Sequence, residues 1–477
     1  MNIDLVLKDF QIYIKKNRKR YLEFLKDLIK IPSISAYGDP DPLYEIVNFI
    51  NIKLQKNVIT TSILDQYDAN YPLLIGEKNV ISQNELKKPV LFMAHLDVQP
   101  PGDEEKWTKV SDPFDPIEEN DNLYGRGSVD TKTQVAAEIS AIDLLTKLKI
   151  KSRPLRFLYT TDEEIGSSRS TVKYFNTLLK EDSSKLNYFG AINGENTNQR
   201  IVLGCKGIVK CRFTARNPLR RAHSGRSMFH EYHPVLNLSQ FLTKIRKKSK
   251  ILLDELNSFA PKIRIIKDDV DYFDELSKYP DEIILSLKGL KIALGEKLWD
   301  HLISTGNWNP ESIGRKFASI SFNPGNFISG SLDSQTIVPD DAISDVDIRL
   351  PPNIKPKEVI EKLKIILKEQ KNIEMKVIMP PSPEVDTFFQ GAFTSPTHPF
   401  IKNFFEICNH VYEEPRVIMP FSTGTSDDRF LEQLGIAHLK FGSIGRNNHG
   451  FDEYVYLPSY FNLIKVYALM MMEFSNS

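Results

Sequence analysis

Residues 89–95 read Pro-Val-Leu-Phe-Met-Ala-His, and Leu96 and Asp97 follow. A near-continuous apolar run of this length, ended by polar residues, is the pattern of a strand buried on both faces, as in a parallel sheet. Residues 133–148 come next, with Val135, Ile139, Ile142, Leu145 and Leu148 at helical spacing. Residues 155–160 (Leu-Arg-Phe-Leu-Tyr-Thr) and 187–193 (Asn-Tyr-Phe-Gly-Ala-Ile-Asn) read as further strands. Strands alternating with helices in this way predict an α/β sheet with covered faces. The pattern returns later, with helices over 399–413 and 457–474 and a strand over 435–442.

The middle of the chain reads differently. Segments 206–216, 233–249, 337–350, 355–370 and 373–379 predict strand, helix, strand, helix and strand, and a further strand fits near 317–322. That order suits a small α+β unit of the ferredoxin-like kind. Inside it, residues 250–316 are rich in Lys, Asp and Leu, carry no chemical motif and read as a helical insertion. The expected organisation is therefore one α/β domain in two parts, 1–205 and 381–477, with a second domain of 206–380 between them.

Composition narrows the function classes. Of 477 residues, 41% are hydrophobic and 26% charged, which is the profile of a soluble globular protein. Lys+Arg and Asp+Glu both total 62, so a nucleic acid or an anionic membrane is not expected as the main partner. No uncharged run approaches about 20 apolar residues, so no transmembrane helix is expected. Residues 1–24 alternate apolar and charged positions and lack the apolar core of a signal peptide. Three cysteines, Cys205, Cys211 and Cys408, cannot build a disulfide framework. Together these features predict a cytoplasmic protein. Walker A, Gly-x-Gly-x-x-Gly and Gly-x-Ser-x-Gly patterns are absent from the sequence. His230-Glu231-Tyr232-His233 misses the spacing of a zinc-binding His-Glu-x-x-His helix by one residue.

The chemistry-bearing residues fall in five places. They are His95 with Asp97; Asp130, at the end of Leu123–Asp130; Glu163 and Glu164, within Thr161–Ser167; Glu195, after Asn193-Gly194; and His449, within Gly445–Gly450. Each has a plain reading alone: a buried His–Asp pair, a helix N-cap, a solvated acidic loop, a turn, a surface histidine. Together they follow apolar strands, at the sheet edge where α/β proteins bind ligands. Two imidazoles and several carboxylates, with no thiolate, form an N/O donor set suited to Zn²⁺, Mn²⁺ or Co²⁺. Asp97 lies two residues beyond His95, on the same side of an extended chain, and can orient its ring. Two divalent cations are matched by Asp130, Glu164, Glu195 and one bridging hydroxide, which leaves Glu163 free to act as a base.

In the order and spacing of these five motifs, the chain resembles the M20 metallopeptidases. That group includes carboxypeptidase G2, carnosinase-type dipeptidases, succinyl-diaminopimelate desuccinylase, acetylornithine deacetylase and aminoacylases. The resemblance runs from Leu28-Ile29-Lys30-Ile31-Pro32-Ser33 to His449. It implies a catalytic domain with a mixed, largely parallel sheet, plus a ferredoxin-like lid that also carries the dimer contact. It implies that His95, Asp130 and Glu195 bind one metal and that Asp130, Glu164 and His449 bind the other. Asp130 would bridge two divalent ions, zinc first and manganese or cobalt as alternatives. Glu163 would be the general base and Asp97 the partner of His95. The family often shows a cis bond after the bridging Asp; here Asp130-Thr131-Lys132-Thr133 departs from its usual Asp-Asp-Lys-Gly, and the bond is left open.

The resemblance also implies roles in the lid. Arg220-Arg221-Ala222-His223-Ser224-Gly225 matches the motif whose His reaches the partner subunit's site in a homodimer. Arg349, with Thr336 upstream, matches the segment that receives a substrate carboxylate, and Thr at 336 is the carnosinase-like choice. Gly424, Thr425 and Ser426, within Ser422–Phe430, match a motif lining the substrate side in desuccinylases and deacylases. The implied activity is hydrolysis of an amide bond in dipeptides or similar small substrates with a free carboxylate. The alternatives are an N-acyl-amino-acid deacylase and a non-catalytic member that binds metal or peptide.

Overall fold

The apolar strand Val90–His95 lies at the middle of an eight-stranded mixed sheet, and all six of its residues are buried. The structure, a computed structural model, describes residues 3–79, 88–180, 186–218, 222–229, 232–257, 262–267, 270–280, 282–330 and 336–472. Arg220, Arg221, His230, Glu231 and the last two residues of the expected closing helix lie outside the described residues. The chain divides into two units. One comprises Met1–Gly204, Thr394–Pro420 and Ser426–Ser477; the other comprises Cys205–Phe393 and Phe421–Thr425.

In the first unit the sheet order is Thr60–Leu64, Leu73–Lys78, Leu155–Thr160, Val90–His95, Gly190–Asn193, His438–Lys440, Ile201–Val202 and Ile418–Met419. The four strands in the middle, from Leu155–Thr160 to His438–Lys440, run parallel. Of the four outer pairings three are antiparallel and one, between Ile201–Val202 and Ile418–Met419, is parallel, so the sheet is mixed. Helix Lys132–Lys147 is buried along almost its whole length and packs on the closing helix Leu457–Met471. A helix covered all round carries apolar residues beyond one stripe, as Ala136, Ala137, Ala141 and Leu144 do here. Gly190 has a steric reason to be glycine, because a Cβ there would meet the Phe400 ring at 2.3 Å.

The second unit contains a four-stranded antiparallel sheet in the order Ser321–Ile328, Asp341–Leu350, Gly207–Arg216, Ile373–Met379. Helices Pro234–Asn257 and Pro356–Leu367 connect its strands in the ferredoxin-like order. Strand Asp341–Leu350 alternates half-buried and buried positions along its ten residues, the period of a sheet with one covered face. Phe213, Leu238, Phe241, Ile348 and Leu363 belong to that covered core.

The stretch between the first of these helices and Ser321 is not wholly helical. It carries helices Tyr272–Lys278, Leu287–Leu294, Glu296–Ser304 and Pro310–Phe317, and also a parallel pair, Lys262–Ile266 with Glu282–Ser286. Each strand of that pair is five residues long, too short for its period to stand out against the surrounding helical pattern. Ile266, Leu276 and Ile284 bury a small core of their own there.

The Phe213 and Phe241 rings meet edge to face, with centroids 5.3 Å apart. Phe213→Ala is expected to destabilise the second unit by about 3–5 kcal/mol. Urea unfolding followed by circular dichroism measures this, and a change below about 1 kcal/mol would contradict the assigned core.

Candidate metal centre

The five motifs fall at one end of the parallel strands of the first unit. His95 is the last residue of its strand and is 3% exposed. Glu163 and Glu164 sit in the short turn Glu163–Ile165 that follows strand Leu155–Thr160. Glu195 lies just beyond Gly190–Asn193. His449 stands in the loop of the hairpin formed by Gly445–Arg446 and Tyr454–Tyr456, at φ 61°. Asp130 precedes helix Lys132–Lys147, whose N-cap is Thr131. The Asp130 side chain is therefore not spent on capping, and the bond Asp130–Thr131 is cis.

Asp130 faces the two imidazoles through different oxygens. His95 Nε2 lies 3.3 Å from Oδ1, and His449 Nε2 lies 3.2 Å from Oδ2. His449 Nε2 is also 3.1 Å from Glu164 Oε2. His95, Asp130 and Glu195 form one group whose donor atoms all lie within 4.8 Å of one another, and Asp130, Glu164 and His449 form a second. His95 Nδ1–H donates to the Asp97 backbone carbonyl at 2.9 Å. That orients the ring so that Nε2 faces the centre, where it donates to Asp130 and, once deprotonated, would offer its lone pair to a cation.

The Asp97 carboxylate has a further role that the sequence did not indicate. It stands 3.5 Å from His95 Nδ1 and accepts hydrogen bonds from the backbone N–H groups of Glu163, at 3.2 Å, and Glu164, at 3.0 Å. One buried anion thus positions both the imidazole and the acidic turn. Gln99, also outside the sequence reading, donates from Nε2 to Glu164 Oε2 at 2.9 Å. The same turn is held from behind. Asp427 accepts from Ser167 Oγ and Thr160 Oγ1, and Arg429 donates to the Gly166 carbonyl. Only long-range folding reveals these partners, because about 260 residues separate them from the turn.

The electrostatics fit a cation site. Burial opposes charge on Asp130, but hydrogen bonds from His449 and His95 outweigh it and hold its carboxyl below the usual range. Hydrogen bonds to Asp130 and Glu164 push the His449 imidazole up to about 11. Burial, with the neighbouring Asp130 charge, pushes Glu195 up to about 8. Burial also raises Glu163 well above an ordinary glutamate, helped by the Glu195, Asp427 and Glu164 charges. Several carboxylates converge with no Lys or Arg among the donors, and protonated imidazoles supply the compensating charge. Two three-donor groups sharing one carboxylate fit two divalent ions bound through N and O.

The remaining expected site residues belong to the second unit, except Ser426. Arg349 donates both ends of its guanidinium to Asp347, at 2.7 and 2.9 Å, and Nη1 donates to Thr425 Oγ1 at 3.0 Å. Thr425 Oγ1 in turn donates to the Lys206 carbonyl at 2.6 Å. Gly424 is exposed. His223 pairs with Ile337 in a short ladder and is exposed, and its Nδ1 accepts the Gly225 N–H at 3.1 Å. Thr336 is exposed and accepts the Ser224 N–H through its carbonyl. Ser426, in the first unit, is buried; its hydroxyl donates to Asp428 and accepts from Lys440 Nζ at 2.8 Å.

Residues 91–473 match the profile of the peptidase family M20/M25/M40. An acetylornithine deacetylase from Buchnera aphidicola subsp. Schizaphis graminum is 32% identical over 201 residues, which is 40% of this chain and 46% of that protein. The chain thus spans about half the length of that relative. A succinyl-diaminopimelate desuccinylase from Polynucleobacter necessarius subsp. necessarius is 27% identical over 387 residues, covering 80% of each. Among solved structures, an M20 family metallo-carboxypeptidase from Sulfolobus solfataricus superposes with a TM-score of 0.72. That match is at 24% identity and covers 94% of this chain and 98% of the other, a likeness of fold.

At pH 7 the metal-free chain carries protons on Glu195 and His449, whose values of about 8 and 11 lie above that pH. It also carries one on His95, where burial opposes the charge but hydrogen bonds to Asp130 and Asp97 raise the group well above an ordinary imidazole. Cation binding needs the deprotonated donors, so loading at pH 7 is expected to release about three protons. Affinity is expected to fall as pH is lowered. Calorimetric titration in buffers of different ionisation enthalpy reads the release, and a value near zero would contradict the arrangement.

Proposed function

Because the chain belongs to the peptidase family M20/M25/M40, we propose that it is a two-cation amidohydrolase acting on dipeptides or similar small amides with a free carboxylate. The observation that carries this reading is the shared Asp130, with one oxygen toward each imidazole. His95, Asp130 and Glu195 would hold one cation, and Asp130, Glu164 and His449 the other. Zinc suits the donors best, with manganese or cobalt as alternatives. When bound, such cations polarise a carbonyl and lower the pKa of water.

Glu163 is the proton carrier. Its raised pKa makes it a stronger base than an ordinary carboxylate. It takes a proton from the water whose oxygen forms the new bond to the amide carbon, and returns it to the nitrogen as the C–N bond breaks. The Asp97 carboxylate holds the backbone of this residue in place. In His223, Nδ1 accepts from Gly225, so the ring proton sits on Nε2, the tautomer that can donate to a developing oxyanion. That contribution comes from the partner of a homodimer formed through the lid. Arg349, oriented by Asp347, receives the substrate carboxylate, with Thr425 fastening the guanidinium edge. Thr336 and Gly424 line the same substrate side.

A second reading is hydrolysis of N-acyl amino acids, favoured by the deacetylase and desuccinylase names of the curated relatives. A cytoplasmic location fits three buried cysteines that form no disulfide, and no described helix is long and apolar enough to cross a membrane.

Glu163→Gln is expected to keep both cations and lose about 10²–10⁴-fold in kcat. Near-unaltered turnover would remove Glu163 from its role. The cation-loaded chain, screened on dipeptides against N-acetyl- and N-succinyl-amino acids, is expected to cleave dipeptides first. Cleavage of the acyl substrates alone would select the second reading, and cleavage of none with both cations bound would overturn the enzymatic one.

A further inference from the structure

The donors of the centre come from two kinds of support. His95 and Glu195 sit at or just beyond the ends of strands in the main sheet. Asp130 and His449 sit on loops, and one carboxylate outside the donor set touches both loops. Glu453 is 0% exposed and lies four residues beyond His449. Its Oε1 accepts the N–H groups of Val129, at 2.9 Å, and Asp130, at 3.1 Å. Its Oε2 accepts the Gly127 N–H at 3.0 Å and Arg126 Nη1 at 2.6 Å. Arg126 then returns to the histidine loop, because its Nη2 donates to the Gly450 carbonyl at 3.0 Å. The link is close-packed. Gly127 has φ 83°, and a Cβ on it would lie 2.8 Å from Val98.

We propose that Glu453 is a positioning residue of the metal centre. Its buried carboxylate fastens the backbone of the bridging Asp130 and, through Arg126, the loop that carries His449, so it sets the distance between two donors of one cation. It belongs to neither donor group. A buried carboxylate needs several donors to offset its lost hydration, and here every donor comes from a segment that the centre requires in place. A neutral or shorter group cannot hold three backbone N–H groups and a guanidinium at once. The effect is asymmetric. The group of Asp130, Glu164 and His449 depends on this link for two donors, whereas the group of His95, Asp130 and Glu195 depends on it for one.

The inference rests on the two-cation reading, and the test separates the two. Cobalt(II) is titrated into the full chain, with absorption and calorimetry recording each equivalent. The equivalent lost in a His449→Ala chain identifies the hairpin-side site. Fewer than two equivalents in the unaltered chain would fail the two-cation reading and the inference with it. With two equivalents there, E453Q is expected to weaken the hairpin-side equivalent about 10- to 100-fold. The other equivalent should change much less, and the absorption spectrum of the weakened site should shift. Affinities like those of the unaltered chain, or equal weakening of both equivalents, would overturn the proposal. If E453Q does not fold by circular dichroism, R126K keeps Glu453 and one cation beside it while losing the fork to Gly450. It is expected to weaken the hairpin-side equivalent alone about tenfold, and unchanged binding of both would overturn the proposal.

Discussion

A single buried carboxylate that faces two imidazoles through different oxygens organises this molecule. Asp130 can do so only because its backbone is held out of the helix it precedes, with Thr131 taking the cap position. An Asp that capped the helix would have spent its oxygens on N–H groups within its own turn. Freed from that, the side chain joins His95 on one side and His449 on the other, donors that lie 354 residues apart in sequence (449 − 95). Both three-donor groups include it, so its placement decides whether the two can act as a pair.

Bringing several carboxylates to one place is costly, because like charges repel and burial penalises each of them. The fold answers with backbone donors. Asp97 accepts the N–H groups of the Glu163–Glu164 turn, Asp162 accepts those of Arg169 and Thr171, and Glu453 accepts those around Asp130. Each of these anions restrains a loop instead of reaching toward ligand. The result is a set of loops tied down by buried hydrogen bonds, and that is what precise donor geometry requires.

Much of this was legible in the sequence. The apolar run at 90–95 marks a strand buried on both faces, and the polar residues that close it mark the sheet edge where ligands bind. The five motifs carry types of residue that only a shared site would explain together. Other features were not legible, for physical reasons. Glu453 is one acidic residue in Phe451-Asp452-Glu453-Tyr454, and its partners are more than 320 residues away, so nothing local distinguishes it from a surface carboxylate. Asp427, Asp428 and Arg429 fall within Ser422–Phe430, the segment matched to the substrate side, yet they are buried, and Asp427 and Arg429 brace the acidic turn. The strand pair at 262–266 and 282–286 is too short to show its period among Lys-rich helices. In each case the decisive partner is distant in sequence, and local pattern carries no record of it.

The proposed function rests on Asp130 being shared between two cations. Electron paramagnetic resonance of the chain loaded with two equivalents of Mn²⁺ tests it most directly. A bridging Asp130 would place the ions close enough to couple magnetically, so an exchange-coupled spectrum is expected, and it should be lost in Asp130→Ala. A spectrum of two uncoupled ions in the unaltered chain, both fully bound, would contradict it.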